Sequence, residues 1–365
     1  MKAAVCYEFG QPLVVEEVEI ESPRLGEVKV RMEATAVCHS DIHYIEGERA
    51  AQPPLVVGHE GAGVVWEVGP DVSLVQVGDR VALSLLRQCG RCYFCSIGMP
   101  YHCEGHFALA MESRLRNRAG VALRDGELGA SAFAEEAIVD QSQLVVVPDD
   151  VPLDRACLLA CGVITGAGAV INTAGVRPGN SVVIIGAGGV GLNAIQGAAL
   201  AGAYPIIALD TLPAKLEAAR EFGATHTIQV GNSDAVDAVR SVTNGRGADY
   251  GFVTVGTAGA VGGAFDLIRV AGTLVLVGLP APGITAPLPI REFAWAGQRV
   301  LGSCMGSTRL SVDVPYFIEL YRQGRLKLDE LITARYPLDR INEAIEVVKR
   351  GEARRNVIMF DEAIQ

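Results

Sequence analysis

The stretch Ser181-Val182-Val183-Ile184-Ile185-Gly186-Ala187-Gly188-Gly189-Val190-Gly191 joins an unbroken apolar run to spaced glycines. A run without polar alternation reads as a strand buried on both faces. Gly186 permits a tight turn, Gly188 lets the backbone approach a pyrophosphate, and Gly191 lets helix and strand pack closely. Gly189 and Val190 stand where a helix running to Ala201 begins. A second apolar run, Pro205 to Leu209, ends in Asp210, nineteen residues after Gly191. A carboxylate there accepts both adenosine ribose hydroxyls and repels a 2′-phosphate, so NAD is expected rather than NADP, with Lys215 supporting the same ribose.

The rhythm continues outward from that turn. THTIQV, YGFVTV, GTLVLVG and a last strand near Arg299 to Gly302 alternate with Ala/Gly/Leu helical stretches. Six strands separated by helices imply βαβ crossovers and an α/β fold with a doubly wound parallel sheet. Before about residue 160 the texture differs: short β runs such as Val28 to Ala34 and Gly63 to Val68 are split by turns at Gly26, Gly69-Pro70 and Gly78-Asp79. That region reads as antiparallel and loop-rich. After 304 the chain returns to helix plus strand, ending in Asn356 to Phe360. We therefore expect a first domain over 1–161 that is rejoined by 304–365, with a dinucleotide domain over 162–303 between them.

Bulk properties bound the function. A chain of 365 residues, half of them hydrophobic and 42 of them glycine, suits two domains with close helix-on-sheet packing. The net charge of -11, without a Lys/Arg-rich run, excludes a nucleic-acid surface and points to a small-molecule partner. No apolar run reaches about eighteen residues and the N-terminus turns acidic too early for a leader, so neither membrane nor secretion is expected and the location is cytoplasmic. Nine cysteines in such a chain argue for thiolate ligands rather than disulfides. Cys6, Cys157 and Cys304 read as structural thiols.

Cys89, Cys92, Cys95 and Cys103 place four soft ligands within fifteen residues, the pattern of a structural zinc lobe. An iron-sulfur cluster is disfavoured, since the fourth cysteine follows after seven intervening residues and has no proline behind it. A second, dispersed set comprises Cys38, His59 with Glu60, and Cys161. Two thiolates and a neutral imidazole would hold a catalytic zinc with one position open. Cys157, four residues before Cys161, competes for the third place, and the flanking Gly162 and Thr165-Gly166 favour Cys161.

Taken together, Cys-His-Ser-Asp-x-His at 38–43, Gly-His-Glu at 58–60, the four-cysteine lobe, Cys161-Gly162, the glycine turn with Asp210, and Arg355 resemble the zinc-dependent medium-chain alcohol dehydrogenases over essentially the whole chain. The resemblance implies a GroES-like catalytic domain, a Rossmann domain and an active cleft between them, with two zinc ions per chain. It maps Cys38, His59 and Cys161 onto the catalytic zinc, with Glu60 beside the ion and Asp41 orienting His59. It also implies that Ser40 takes the substrate proton and His43 releases it, while Val190 and Thr165 flank the nicotinamide and His39 and Arg355 face the pyrophosphate.

The expected reaction interconverts an alcohol and its aldehyde or ketone with NAD(H). Leu85, Leu86, Thr165 and Leu279 by family position suggest an apolar channel suited to an aromatic or medium-chain alcohol, with Arg49 at its mouth. An NAD(P)H-dependent carbonyl or enal reductase on the same scaffold is the alternative, and Asp210 weighs against it. A glutathione-dependent formaldehyde dehydrogenase is disfavoured by Arg49 and Phe107, which stand where that branch has an acidic or polar residue and an arginine. The stretch Glu104 to Ala130 reads as a long loop, its length resembling the dimeric members, so a homodimer is expected and a tetramer is possible.

Overall fold

The computed structural model describes every residue except Met111, Glu127, Asn232, Ser233 and 361–365. The chain forms two compact units, one made of Met1–Cys161 with the residues from Arg309 on, the other of Gly162–Thr308.

In the second unit, the six expected strands form as β1 (Val182–Ile185), β2 (Ile206–Asp210), β3 (His226–Gln229), β4 (Ala248–Val253), β5 (Ile268–Leu276) and β6 (Arg299–Gly302). They lie in the order β3-β2-β1-β4-β5-β6, and every neighbouring pair is parallel. The α/β reading with a doubly wound six-stranded sheet therefore holds. Strand order reverses beside β1, whose Ile185 pairs with Leu209 on one side and Val253 on the other. That reversal opens a crevice at the carboxyl ends of the strands, where ligands of such sheets bind. Val182, Val183, Ile184, Ile207, Ala208 and Phe252 are all fully buried, as two covered faces require. The unit closes at Thr308 because the turn at 305–307 packs back within it: Gly306 accepts from Asn172 Nδ2 at 3.3 Å, and the Ser307 and Thr173 hydroxyls lie 2.8 Å apart.

The first unit is built on strand Glu27–Ala36, which pairs antiparallel with Glu60–Val68, Glu136–Asp140 and Arg355–Met359. The last pairing, with Val357 opposite Ala36 and Ile358 opposite Thr35, is how the C-terminal segment rejoins this unit. Arg80–Leu83, Leu144–Val146 and Ile332–Pro337 complete that sheet, the last of them parallel to Arg355–Met359. The stretch read as a long loop is not all loop. Leu115–Asn117 and Ala122–Leu123 form a hairpin that extends a four-stranded sheet through Val14–Ile20. Its anchor is a buried pair, Arg114 to Glu27, with nitrogen-to-oxygen distances of 2.6 and 3.0 Å. Among the described residues, no single helix is long and apolar enough to cross a membrane.

Candidate functional site

The short helix His39–Ile45 begins beside Cys38, and its Asp41 organises the segment that leads into the strand Glu60–Val68. Asp41 is fully buried and accepts three hydrogen bonds: from Cys38 N–H at 3.0 Å, from Gly58 N–H at 3.0 Å and from His59 Nδ1 at 2.8 Å. A carboxylate only accepts, so Nδ1 of His59 carries a proton and Nε2 is the nitrogen left for a metal ion to take in place of a proton. Nε2 is buried and has no hydrogen-bond partner. Gly58 makes this possible with φ at +98°, and a Cβ there would lie 2.6 Å from the Phe133 ring.

Cys38, His59, Glu60 and Cys161 each bring one ligand atom to within 4.8 Å of the others, all buried. The hydrogen bond with Cys161 holds the Cys38 thiol well below its ordinary range, whereas the same bond and burial push Cys161 well above it. The two sulfurs thus share a proton. Burial works against a charged His59, but Asp41 and Cys38 outweigh it and hold the imidazole well above its usual value. Burial pushes Glu60 up to about 8, against the pull of Arg355, whose Nη2 stands 3.6 Å from Glu60 Oε1. A divalent ion can replace the proton between the sulfurs and the imidazolium proton with no change in net charge, so the donor set fits a thiolate–imidazole zinc site.

Cys157 stays outside this cluster. Its Sγ donates to the Asp154 carbonyl at 3.2 Å, and burial pushes its thiol well above the normal range. Arg355 is itself buried against Glu60 in the first unit rather than standing in solvent. The sequence pattern offers no local sign of that contact, because the partners are 295 positions apart.

The ligand atoms of Cys89, Cys92, Cys95 and Cys103 also lie within 4.8 Å of one another. Backbone N–H groups point at the sulfurs: Cys92 N–H to Cys89 Sγ at 3.3 Å, Cys95 N–H to Cys92 Sγ at 3.5 Å, and Cys89 and Gly105 N–H to Cys103 Sγ at 3.2 Å each. Such bonds favour thiolates, and those from Cys95 and Glu104 bring Cys92 down to about 6. Cys103, by contrast, is pushed up to about 12 by burial. Four thiolates cannot coexist there without a cation, which again suits a tetrahedral metal.

In the second unit, β1 ends in Gly186 at φ +94°, and the helix Gly189–Leu200 starts one residue after Gly188. A Cβ on Gly191 would come within 1.9 Å of the Gly186 carbonyl, whereas one on Gly188 meets nothing within 4 Å. Gly191 is therefore a packing glycine, and Gly188 leaves open space before a helix N-terminus, where a pyrophosphate fits. Asp210 closes the turn from the side, accepting from Ala187 N–H at 2.8 Å and Leu212 N–H at 3.0 Å. Thr254, which no motif marks, donates to the Gly186 carbonyl at 2.8 Å from the end of β4.

The remaining predicted residues are scattered in burial. His39 is exposed, while Ser40, His43, Arg49, Val190 and Lys215 are half-buried. Thr165 is buried with its hydroxyl 3.6 Å from Met305 Sδ, and Leu279 is two-thirds exposed. Leu86 is buried and Leu85 packs on the first unit's core, just after Ser84, whose hydroxyl donates to the Ala160 carbonyl at 2.6 Å.

Residues 24–149 match the alcohol dehydrogenase GroES-like domain and residues 189–322 match the zinc-binding dehydrogenases. Over 366 residues the chain is 38% identical to an NDMA-dependent alcohol dehydrogenase of Amycolatopsis methanolica, with 98% of each covered. The chain belongs to the zinc-dependent medium-chain alcohol dehydrogenase family. Two solved members align along their full length. The alcohol dehydrogenase zinc-binding domain protein of Burkholderia ambifaria superimposes with a TM-score of 0.94 at 36% identity, with 99% of both chains covered. The benzyl alcohol dehydrogenase of Acinetobacter calcoaceticus does so with a TM-score of 0.92 at 33% identity, again with 99% of both covered. Family membership makes this chain an oxidoreductase with zinc as its metal.

Proposed function

We propose that the protein is an NAD-linked alcohol dehydrogenase with two zinc ions per chain. The observation that carries this reading is the buried group of Cys38, His59, Glu60 and Cys161, in which His59 Nε2 has no partner within the protein. Cys38, His59 and Cys161 would hold the catalytic ion, Cys89, Cys92, Cys95 and Cys103 the structural one. When bound, zinc lends Lewis acidity toward a hydroxyl or carbonyl oxygen and the nicotinamide takes up or gives back hydride.

The chain's own residues do the rest. Asp41 keeps the His59 lone pair on Nε2 and fixes the ring. Ser40 accepts the substrate's hydroxyl proton, and His43, three residues on and on the same helix face, receives it. The reverse transfer serves carbonyl reduction. Gly186, Gly188, Gly189 and Gly191 shape the turn for the pyrophosphate, and the Asp210 carboxylate takes the ribose hydroxyls and rejects a 2′-phosphate. Thr165, Val190, His39, Lys215, Leu279 and Arg355 are assigned to the cofactor's surroundings. Leu85 and Leu86 line the apolar side of the substrate site, with Arg49 at its rim. The relative named for benzyl alcohol supports an aromatic or medium-chain primary alcohol as substrate, and a homodimer is the assembly we expect.

The test is zinc content by mass spectrometry, joined to turnover across primary, secondary, aromatic and glutathione-adduct alcohols. NAD and NADP serve as acceptors, with NDMA added because the 38% identical relative is named for it. About two zinc per chain with NAD-linked oxidation supports the reading. One zinc per chain without alcohol turnover overturns it.

A further inference from the structure

The helix that carries Ser40 and His43 ends in a way that bears on the proton relay. Glu46 caps it, and Gly47 follows at φ +74°. Gly47 N–H donates to the Tyr44 carbonyl at 3.2 Å and Glu48 N–H to the His43 carbonyl at 2.9 Å. This nested pair is a Schellman closure, which turns the chain back over its own last turn. A Cβ on Gly47 would meet the Phe9 ring at 2.9 Å, so the reversal is fixed by packing as well as by glycine's backbone freedom. Its result is that the Glu48 carboxylate lands on His43 Nδ1 in a short hydrogen bond.

We propose that Glu48 is a positioning residue of the relay: it holds His43 in the Nδ1–H form and leaves Nε2 as the nitrogen that accepts the proton. The proposal rests on the reading of Ser40 and His43 as that relay. An ionised carboxylate offers only acceptors, so Nδ1 must donate and the lone pair falls on Nε2. As the substrate's O–H bond breaks, an N–H bond forms at Nε2. The carboxylate balances the imidazolium, and the proton then leaves Nε2 for water, restoring the starting tautomer. Three other carboxylates of this helix and its neighbour are engaged elsewhere. Asp41 is turned inward to His59, and Glu46 and Glu346 pair with Lys349 of the adjacent helix Ile341–Lys349 at 2.8 and 3.0 Å. The side chains of His43 and Glu48 are 26% and 46% exposed, so the pair reaches solvent.

The test uses the zinc-loaded protein in wild-type, Glu48→Gln, Glu48→Asp, His43→Ala and double-variant forms. Long-range proton–nitrogen spectra of protein with labelled histidine should show His43 as the Nδ1–H tautomer in wild type and a mixture or the Nε2–H form in Glu48→Gln. An unchanged tautomer overturns the proposal whether or not the protein oxidises alcohols. In turnover, Glu48→Gln should lower kcat about ten-fold with KM unchanged, below the 10²–10⁴ of a complete general base. Added imidazole and the Glu48→Asp variant should each restore part of that loss. On a His43→Ala background, Glu48→Gln should do nothing further, since the two act as one unit. An equal loss on that background would mark Glu48 as a loop-closing residue only, and would overturn the proposal. Wild-type protein without alcohol turnover would count against the functional reading alone, the tautomer result still deciding for or against Glu48.

Discussion

Replacing Asp41 by asparagine tests the organisation of the metal group at its centre. The carboxylate accepts from Cys38 N–H and Gly58 N–H at 3.0 Å each and from His59 Nδ1 at 2.8 Å, with no exposure to water. An amide has one acceptor oxygen. Its better orientation keeps that oxygen on Gly58 and His59 and turns the NH₂ against the Cys38 N–H; the opposite flip would strand two donors. One buried N–H thus loses its partner, at a cost of about 1–3 kcal/mol, and the bond to His59 loses its charge assistance. A less basic and less fixed His59 should bind zinc roughly 10–100-fold more weakly. Competition with a chelator at constant pH measures this directly. The four-cysteine lobe serves as the internal reference, because Asp41 makes none of its hydrogen bonds. One zinc per chain should be lost early and the other retained as in wild type. If both ions leave at wild-type chelator concentrations and the unfolding midpoint is unchanged, Asp41 does not hold the site as argued.

Other outcomes follow from the same geometry. Cys161→Ser should lose one zinc per chain while Cys157→Ser, whose thiol faces the Asp154 carbonyl, keeps both; elemental analysis distinguishes them, and the reverse pattern would exchange their roles. Gly186→Ala places a Cβ 2.4 Å from Val255 Cγ1 at a positive φ and should lower the thermal midpoint, whereas Gly188→Ala meets nothing within 4 Å and should fold normally yet bind NAD weakly in a fluorescence titration. The Glu60 carboxyl has its folded pKa raised from 4.5 to about 8, so its contribution to metal-free stability is complete below the lower value and is lost as pH rises through the upper one. Glu60→Gln should therefore flatten the fall in denaturation midpoint of zinc-free protein across that window. Asp210→Asn should narrow the preference for NAD over NADP, by on the order of 1–3 kcal/mol in relative kcat/KM, as expected for a charged contact.

What could be read ahead of the structure depended on how local each signal is. β1 and β2 are unbroken apolar runs up to Asp210, while β3 to β6 are apolar-rich segments interrupted by residues such as His226, Asp249, Arg269 and Arg299, and their regular alternation with helical stretches places them. The four-cysteine lobe is likewise local. Leu115–Asn117 and Ala122–Leu123 escaped notice because they are short and interrupted by Arg116, Asn117 and a turn at Gly120, and they owe their pairing to Val14–Ile20 far upstream. Arg355 on Glu60 and Arg114 on Glu27 join positions that no periodicity links. The contact of Glu48 with His43 was within reach, since Gly47 one residue after a helix cap is the mark of a Schellman reversal. So was Thr254, which ends an apolar strand beside the turn it braces.

The strand Arg355–Met359 has a consequence for how the chain comes into being. Gly162–Thr308 is continuous and can close as soon as it has emerged from the ribosome. The first unit cannot, because one neighbour of its Glu27–Ala36 strand is synthesised only after the whole of Gly162–Thr308. From Cys161 to Arg355 the ribosome adds 194 residues, which at ordinary elongation rates takes roughly 10–40 s. For that interval the earlier-born sheet waits with an open edge and Glu60 lacks its guanidinium neighbour. Completion of the metal-bearing half thereby waits for Arg355–Met359, and any zinc captured by the proposed ligands Cys38, His59 and Cys161 before then is held by an unfinished sheet.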